Sequence, residues 1–191
     1  MAGMEIAVVF ESMYGVTHEV ADAIVEGVVE AQPDATVTCL RVADADPARV
    51  AAADMVIVGG PTHMRGMSSG MSRKMAVQIE EKKERESGEP MGHGLEPGAE
   101  GDGLRDWFHR LPKGAKGRRA AAFDTRGEGP MVGGAAKGIA HRLESHGYKL
   151  AAAPEGFVVE GDAGLLKGGE RERARRWAAG LVRQAAALDS R

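Results

Sequence analysis

A short polar loop near the start of the chain has the residue types that bind an anion. Ser12 and Thr17 place hydroxyl groups at its two ends, and Gly15 lies between them. A helical pattern begins at Thr17, and the first amides of a helix carry partial positive charge and have no partners within it. Hydroxyls and amides together form a cradle suited to a phosphomonoester. The predicted phosphate loop consists of Ser12, Met13, Tyr14, Gly15, Val16 and Thr17.

The position of this loop separates a phosphate site from an ordinary turn. In isolation, Ser-x-x-Gly-x-Thr could simply turn the chain at Gly15 and cap a helix at Thr17. Here it follows a short apolar run at 6–10, which is typical of a strand buried on both faces of a parallel sheet. A strand, a loop and a helix in that order favour the phosphate interpretation.

Strand and helix patterns alternate along the rest of the chain. Further strands are predicted at 37–42, 55–58, 120–123 and about 150–159, the last one interrupted at Pro154. Helices are predicted at 17–32, from Asp46-Pro47, through Met71, Met75 and Ile79, through Leu104 to Leu111, through Ala136 to Leu143, and through Ala174 to Ala185. This alternation predicts an α/β three-layer sandwich with a five-stranded parallel sheet.

Ligands of such sheets bind beyond the carboxyl ends of the strands. The loops that follow the first, third and fourth strands are therefore the candidate site. The third of these is predicted at 124–130. Between the third and fourth strands, residues 87–103 are rich in glycine and proline and nearly lack apolar side chains. We expect a flexible insertion without regular structure there.

Composition limits the class of protein. The 191 residues fit one domain, 1–191, and a content of 43% hydrophobic and 28% charged residues is typical of a globular protein. A formal charge of −3 argues against nucleic-acid binding. The one cysteine, Cys39, and the lack of a secretory or membrane-spanning segment favour the cytoplasm. No metal site is predicted.

The loop spacing resembles that of the flavodoxin family, in which Ser-x-x-Gly-x-Thr holds the phosphate of FMN. The stretch 59–68, Gly-Gly-Pro-Thr-His-Met-Arg-Gly-Met-Ser, is similar to the ring-side Pro-Thr-x-x-Gly-x-Met of flavodoxin-like quinone reductases, but Gly66 falls one position late. The resemblance extends over roughly residues 5–185, apart from the insertion. It implies a flavodoxin-like sheet in the order 2-1-3-4-5, with FMN as cofactor.

The resemblance also implies which residues contact or flank the flavin ring: Pro61, Thr62, His63, Met64, Gly66, Met67, Asp124, Thr125, Arg126 and Gly127. Flavodoxins usually stack the ring between aromatic side chains, and this chain has none at 59–72 or 124–134. Met64, Met67 and Met131 could supply apolar contacts instead, because sulfur packs favourably on aromatic rings.

Charge near the ring would set its chemistry. Arg65, Arg126 or a protonated His63 close to the ring would favour negative charge on it and thus hydride-type, two-electron chemistry. The chain also lacks the large negative charge of the acidic one-electron flavodoxins. No residue is predicted to act as a catalytic acid or base.

We therefore expect an FMN-binding flavoprotein for electron transfer or NAD(P)H-linked reduction, an oxidoreductase or an electron carrier. Its partner would be a redox protein or a small-molecule acceptor, and the chain would be a monomer or a homodimer. The alternative is a flavodoxin-fold binding or regulatory module with weak or no flavin affinity, which recognises a protein through the 87–103 insertion.

Overall fold

Strands and helices alternate in the structure as the sequence predicts. The computed structural model describes residues 3–113, 117–129, 131–161 and 164–189. The strands are β1 (Glu5–Phe10), β2 (Thr36–Arg41), β3 (Met55–His63), β4 (Gly66–Met67), β5 (Arg119–Arg126), β6 (Lys149–Leu150), β7 (Glu155–Glu160) and β8 (Leu165–Leu166). The helices are α1 (Val16–Ala31), α2 (Pro47–Ala52), α3 (Gly70–Ser87), α4 (Leu104–Arg110), α5 (Ala135–Ser145) and α6 (Glu170–Asp189).

The five main strands form a parallel sheet in the order β2-β1-β3-β5-β7. This confirms the predicted order 2-1-3-4-5. Two short strands are antiparallel to their neighbours, β4 to β3 and β8 to β7. The predicted strand at 150–159 is two pieces, β6 and β7, which both pair with β5. Pro154 lies between them and has no amide hydrogen to donate to a ladder.

Alternate side chains of each strand face opposite layers, which gives the predicted three-layer sandwich. Ile6, Val8 and Phe10 of β1 belong to a core cluster shared with α1 and α6. Ala7 and Val9 belong to a second cluster, shared with α4 and α5 on the other face. Because a strand has a side-chain period of two, one apolar run supplies both cores.

A glycine brings α1 and α6 into close contact. A Cβ added to Gly27 of α1 would lie 2.0 Å from the backbone carbonyl oxygen of Arg175 in α6. Ion pairs flank this contact: Arg171 lies 2.6 Å from Glu26, and Arg175 lies 2.9 Å from Glu30. Only a residue without a side chain fits where the two helices meet.

Helix α3 exposes three apolar residues and buries three polar ones. Met71, Met75 and Ile79, whose spacing predicts the helix, are 75%, 46% and 56% exposed. The buried residues of the helix are Ser72, Arg73, Ala76, Val77 and Glu80. The spacing thus predicts the helix correctly but not which face is buried. None of the helices in the described part of the chain is long and apolar enough to cross a membrane.

Two strands extend further than their apolar runs. Strand β3 continues beyond residue 58 to His63, and β5 includes 124–126, which are predicted as loop. Asp124 and Thr125 pair with β3 on one side, and all three residues pair with β7 on the other. The carboxyl ends of these strands contain polar residues and proline, so the apolar pattern does not predict that the strands continue there. Pro130, at the end of the predicted loop, lies outside the described residues.

The insertion contains no helix or strand from residue 88 to residue 103, as predicted. Ser87, which is predicted to begin it, is the last residue of α3. The insertion contacts the phosphate loop through backbone hydrogen bonds. Its flexibility stays a prediction.

Candidate functional site

A cavity of about 380 Å³ opens at the carboxyl ends of β1, β3 and β5. Residues of the predicted phosphate loop and of both ring-side segments line it together. The predicted site residues on its wall are Met13, Tyr14, Val16, Thr17, Pro61, Thr62, His63, Met64, Thr125 and Arg126. The other predicted site residues, Ser12, Gly15, Gly66, Met67, Asp124 and Gly127, are not part of this wall.

The phosphate loop ends in an uncapped helix. Gly15 is the N-cap residue of α1 and has a φ of +79°, a left-handed conformation that glycine adopts without strain. No side chain caps this helix, and its first backbone hydrogen bond runs from the Glu19 amide to the Gly15 carbonyl. The amides of the first turn therefore remain available to an anion, in the positive field of a 16-residue helix.

A buried hydroxyl of this loop lacks a partner. The Oγ atom of Ser12 is buried and makes no hydrogen bond within the described part of the protein. At the other end of the loop, Thr17 Oγ1 lies 2.7 Å from Thr125 Oγ1, so the two hydroxyls hydrogen-bond. An unsatisfied buried hydroxyl is costly, by about 1–3 kcal/mol. The loop thus has the unused donors that a phosphate would satisfy.

The ring-side segment turns through a hairpin of two residues. Met64 and Arg65 connect β3 to β4, and both have positive φ, 47° and 71°. Two residues of positive φ match the right-handed twist of the paired strands. The turn carries Met64 to the cavity mouth, where its side chain is 84% exposed. The hairpin tip also places Gly66 after the turn, at the start of β4.

Relief of the strain in this hairpin should stabilise the protein. A residue with a Cβ is disfavoured at positive φ, so Arg65→Gly is expected to raise the unfolding free energy by about 0.5–1 kcal/mol. The rise in Tm should be about 2 °C for a domain of this size. Thermal denaturation measures both effects. Lys74→Gly in the exposed middle of α3 is the control, and it should destabilise by about 1 kcal/mol. A loss of stability in Arg65→Gly would contradict the expectation.

Two basic side chains on the wall differ in charge. Burial lowers the pKa of His63, whose Nδ1 lies 3.3 Å from Ser72 Oγ, so its ring is neutral near pH 7. The expectation of a positively charged His63 is therefore not supported. Arg126 has a guanidinium group, which is not deprotonated in proteins, and its Nε donates to Asp124 Oδ1 at 2.7 Å. Arg65 does not form part of the cavity wall. Arg126 is thus the permanent cation on the described wall.

Asp124 acts behind the wall rather than on it. Its side chain is fully buried, and its Oδ2 accepts a hydrogen bond from the Ala136 amide at 2.7 Å. Burial raises the pKa of this carboxyl group. Thr62 Oγ1 accepts from the neighbouring amide of Ala135 at 3.0 Å, so both side chains fix the start of α5. Asp124 orients Arg126 and anchors the helix.

Four methionines and an isoleucine contribute to the apolar wall. Of the three methionines predicted there, Met64 lines the cavity, Met67 is buried in the core cluster with α5, and Met131 is 72% exposed. The aromatic ring of Tyr14 also lies on the wall. Its hydroxyl donates to the Ala76 carbonyl at 2.8 Å, and burial raises its pKa to about 12. The wall residues that sequence reasoning misses are Ser72, Met75, Ala76, Ile79, Met91, Val159 and Gly164.

The base of the ring-side segment is held by a buried polar cluster. Ser68 Oγ donates to the carboxylate of Glu11 and accepts from Arg73 Nη1 at 3.1 Å. The other carboxylate oxygen of Glu11 accepts from the Leu104 amide at 2.8 Å. Arg105 donates to the Ser68 carbonyl, also at 2.8 Å. Since Glu11 directly precedes the phosphate loop, this cluster fixes the two halves of the site relative to each other.

A family model and the similar solved structures point to the same protein family. The Flavodoxin family model matches residues 8–177. A flavodoxin 1 from Bacillus cereus is 17% identical with a TM-score of 0.63, and the match covers 94% of this chain and 97% of that one. No curated protein sequence matches this chain.

Two further solved structures are similar over almost their whole length. A flavodoxin from the domain Archaea is 18% identical with a TM-score of 0.61, covering 95% of this chain and 98% of that one. A flavodoxin, WrbA-like protein from Agrobacterium tumefaciens is 19% identical with a TM-score of 0.52, covering 96% and 98%. At these identities, the likeness establishes the fold.

Proposed function

The chain belongs to the flavodoxin family, and from this premise we propose that the cavity binds FMN for redox chemistry. Family and fold together support FMN-binding electron transfer in general. The finer proposal is that electrons pass from a reduced nicotinamide or a partner reductase to a small acceptor or to another protein. FMN, when bound, would supply the electron-accepting ring, while the chain sets its position and environment.

The observation that carries this proposal is the phosphate loop beside the cavity. The uncapped end of α1 and the buried hydroxyl of Ser12, which has no partner in the described structure, offer hydrogen-bond donors to a phosphate. The loop contains no cationic residue, so these donors would bind the phosphate. Ser12, Gly15 and Thr17 would hold the phosphate through side-chain and backbone groups. The adjoining wall is apolar enough for a flat ring system.

The ring would lie between the two ring-side segments. Pro61, Thr62, His63 and Met64 would contact it from one side, and Thr125 and Arg126 from the other. Gly66, Met67, Asp124 and Gly127 would flank these contacts rather than make them. The Asp124 carboxylate would hold the Arg126 guanidinium in place.

Charge on the wall favours two-electron reduction in this proposal. Arg126 would attract negative charge on the ring, although its pairing with Asp124 offsets part of that effect. His63 is neutral near pH 7 because burial lowers its pKa, so it would contribute hydrogen bonding rather than charge. Reduction of a small acceptor such as a quinone, with a reduced nicotinamide as electron donor, is the reaction class that fits this arrangement.

Titration of flavin-free protein tests the proposal directly. FMN and riboflavin are added separately, and binding is followed by quenching of flavin fluorescence. We expect micromolar or tighter binding of FMN and much weaker binding of riboflavin, because riboflavin lacks the phosphate. If neither flavin binds, the redox function is wrong, although the family assignment stands. Anaerobic reduction of the FMN complex by NADH and NADPH then tests the electron donor.

A further inference from the structure

The insertion crosses the phosphate loop on one side. The amide of His93 donates to the Tyr14 carbonyl at 2.8 Å, and the amide of Glu96 donates to the Met13 carbonyl at 2.8 Å. We refer to residues 91–97 as the strap. In a planar trans peptide, the carbonyl and the following amide point in opposite directions. By holding these two carbonyls, the strap turns the amides of Tyr14 and Gly15 away from itself, towards the inside of the loop.

The strap is tied to three other elements. At its start, the amide of Met91 donates to the carboxylate of Glu80 on α3 at 2.9 Å and 3.0 Å. Near its end, the carboxylate of Glu96 lies 2.7 Å from His18 Nδ1 on α1 and 3.1 Å from Arg41 Nη2 on β2. These side chains of Glu80 and Glu96 are nearly buried. Both ends of the strap are therefore fixed while its centre contacts the loop.

The strap approaches the loop so closely that it requires glycine. Gly92 has a φ of +55°, and an added Cβ would lie 2.6 Å from the Tyr14 carbonyl oxygen. On the loop side, a Cβ added to Gly15 would lie 3.0 Å from Cβ of His93. His93 Nε2 also lies 2.8 Å from the Glu19 carboxylate on α1. Two glycines and two backbone hydrogen bonds thus join strap and loop.

We propose that the strap is a positioning element that holds the loop amides in the orientation that recognises the phosphate of FMN. This inference rests on the proposed function. A loop that is ordered before the ligand arrives loses less conformational entropy on binding, so its affinity is higher. The strap residues that contact the loop would act at its phosphate end, so the preference for FMN over riboflavin would depend on them. Met91, at the start of the strap, lines the cavity itself.

The test is a single added methyl group with a matched control. Gly92→Ala would push the strap from the Tyr14 carbonyl, whereas Gly98→Ala adds the same group at a φ of +76° with nothing within 4 Å. Both variants place alanine in the left-handed region, so the backbone strain is comparable. Each is titrated with FMN and with riboflavin, and hydrogen exchange of the His93 and Glu96 amides is measured without ligand.

We expect Gly92→Ala to bind FMN at least about tenfold more weakly, because the two strap hydrogen bonds to the loop are disturbed. Its riboflavin affinity should stay at the native value. Exchange of the His93 and Glu96 amides, which donate to the loop carbonyls, should become faster, while exchange in β1 and β3 is unchanged. Gly98→Ala should match the native protein in all three measurements.

Several results would overturn the strap role. These are native FMN affinity in Gly92→Ala, an equal loss of FMN and riboflavin affinity, and unchanged exchange of the His93 and Glu96 amides. If the native chain itself does not prefer FMN to riboflavin, the phosphate assignment of the proposed function fails as well. If the native chain prefers FMN and the Gly92→Ala variant keeps this preference, only the strap role is contradicted and the phosphate assignment stands. If Gly92→Ala does not fold, Glu96→Gln weakens the strap at its Arg41 and His18 contacts and undergoes the same measurements.

Discussion

Alanine at both Ser12 and Thr17 is expected to weaken FMN binding at least about a hundredfold. Each hydroxyl would donate to a charged phosphate oxygen, and a hydrogen bond to a charged group contributes about 1.5–3 kcal/mol. Ser12 Oγ has no partner in the described structure, so its loss should not lower the stability of the flavin-free protein. Thr17 loses one hydrogen bond to Thr125. FMN titration and thermal denaturation of the flavin-free variant measure the two effects.

The control removes two hydroxyls far from the cavity. Thr36 and Thr38 are exposed on β2, and their replacement by alanine should leave FMN affinity unchanged. It should lower stability slightly, since threonine suits a strand better than alanine does. The two double variants are thus distinguished by their FMN affinity. Native FMN affinity in the Ser12 and Thr17 variant would contradict the assignment of the phosphate loop.

Gly27→Ala is expected to lower the unfolding free energy by about 3 kcal/mol, despite the higher helix propensity of alanine. The added Cβ would lie 2.0 Å from the carbonyl oxygen of Arg175, a backbone atom that cannot rotate away. Helices α1 and α6 would have to separate, which disturbs the core cluster around Ile24 and Ala178. Denaturant or thermal unfolding of the flavin-free protein measures the loss.

The matching substitution in the partner helix should have the opposite effect. Gly180 lies within α6, and an added Cβ would meet nothing within 4 Å. Gly180→Ala is therefore expected to stabilise by up to about 1 kcal/mol through helix propensity. A gain of stability in both variants would show that α1 and α6 do not meet as closely as the structure indicates.

Much of the fold could be predicted because its strands are buried on both faces. Short apolar runs such as 6–10 and 55–58 identify the central strands, and Asp46 caps the short helix α2 as its position before Pro47 indicates. The strand ends were harder to predict, since Pro61 and Asp124 continue their strands with residues that a sheet pattern does not favour. These residues pair with neighbouring strands through their backbone groups, and the pattern of apolar and polar side chains gives no sign of that pairing.

The candidate site was predictable where backbone geometry determines it and less so where packing does. The Ser-x-x-Gly-x-Thr spacing and its place after β1 locate the loop, and ten of the predicted residues lie on one cavity wall. The spacing of Met75 and Ile79 predicts a helix but does not show whether these side chains face the cavity or the hydrophobic core. Ser69 and Ser72, which form a capping box, mark the start of that helix without showing its orientation.

The strap could not be predicted from its composition. Glycine and proline in 87–103 exclude a helix or a strand, and we expected a flexible segment from this. The contacts of Gly92 with Tyr14 and of Glu96 with Arg41 join residues more than 50 positions apart. Such pairs depend on the folded arrangement of α1, α3 and β2, and no local pattern signals them.

The methionines of the cavity wall also determine how it can change shape. Met13, Met64, Met75 and Met91 all line it, and the unbranched thioether side chain has three rotatable bonds. Walls of this kind adapt to the outline of whatever they enclose, as the methionine-rich surfaces of broadly selective binding proteins do. If the proposed function holds, an acceptor that enters beside FMN would therefore be selected by its charge and reduction potential more than by its shape.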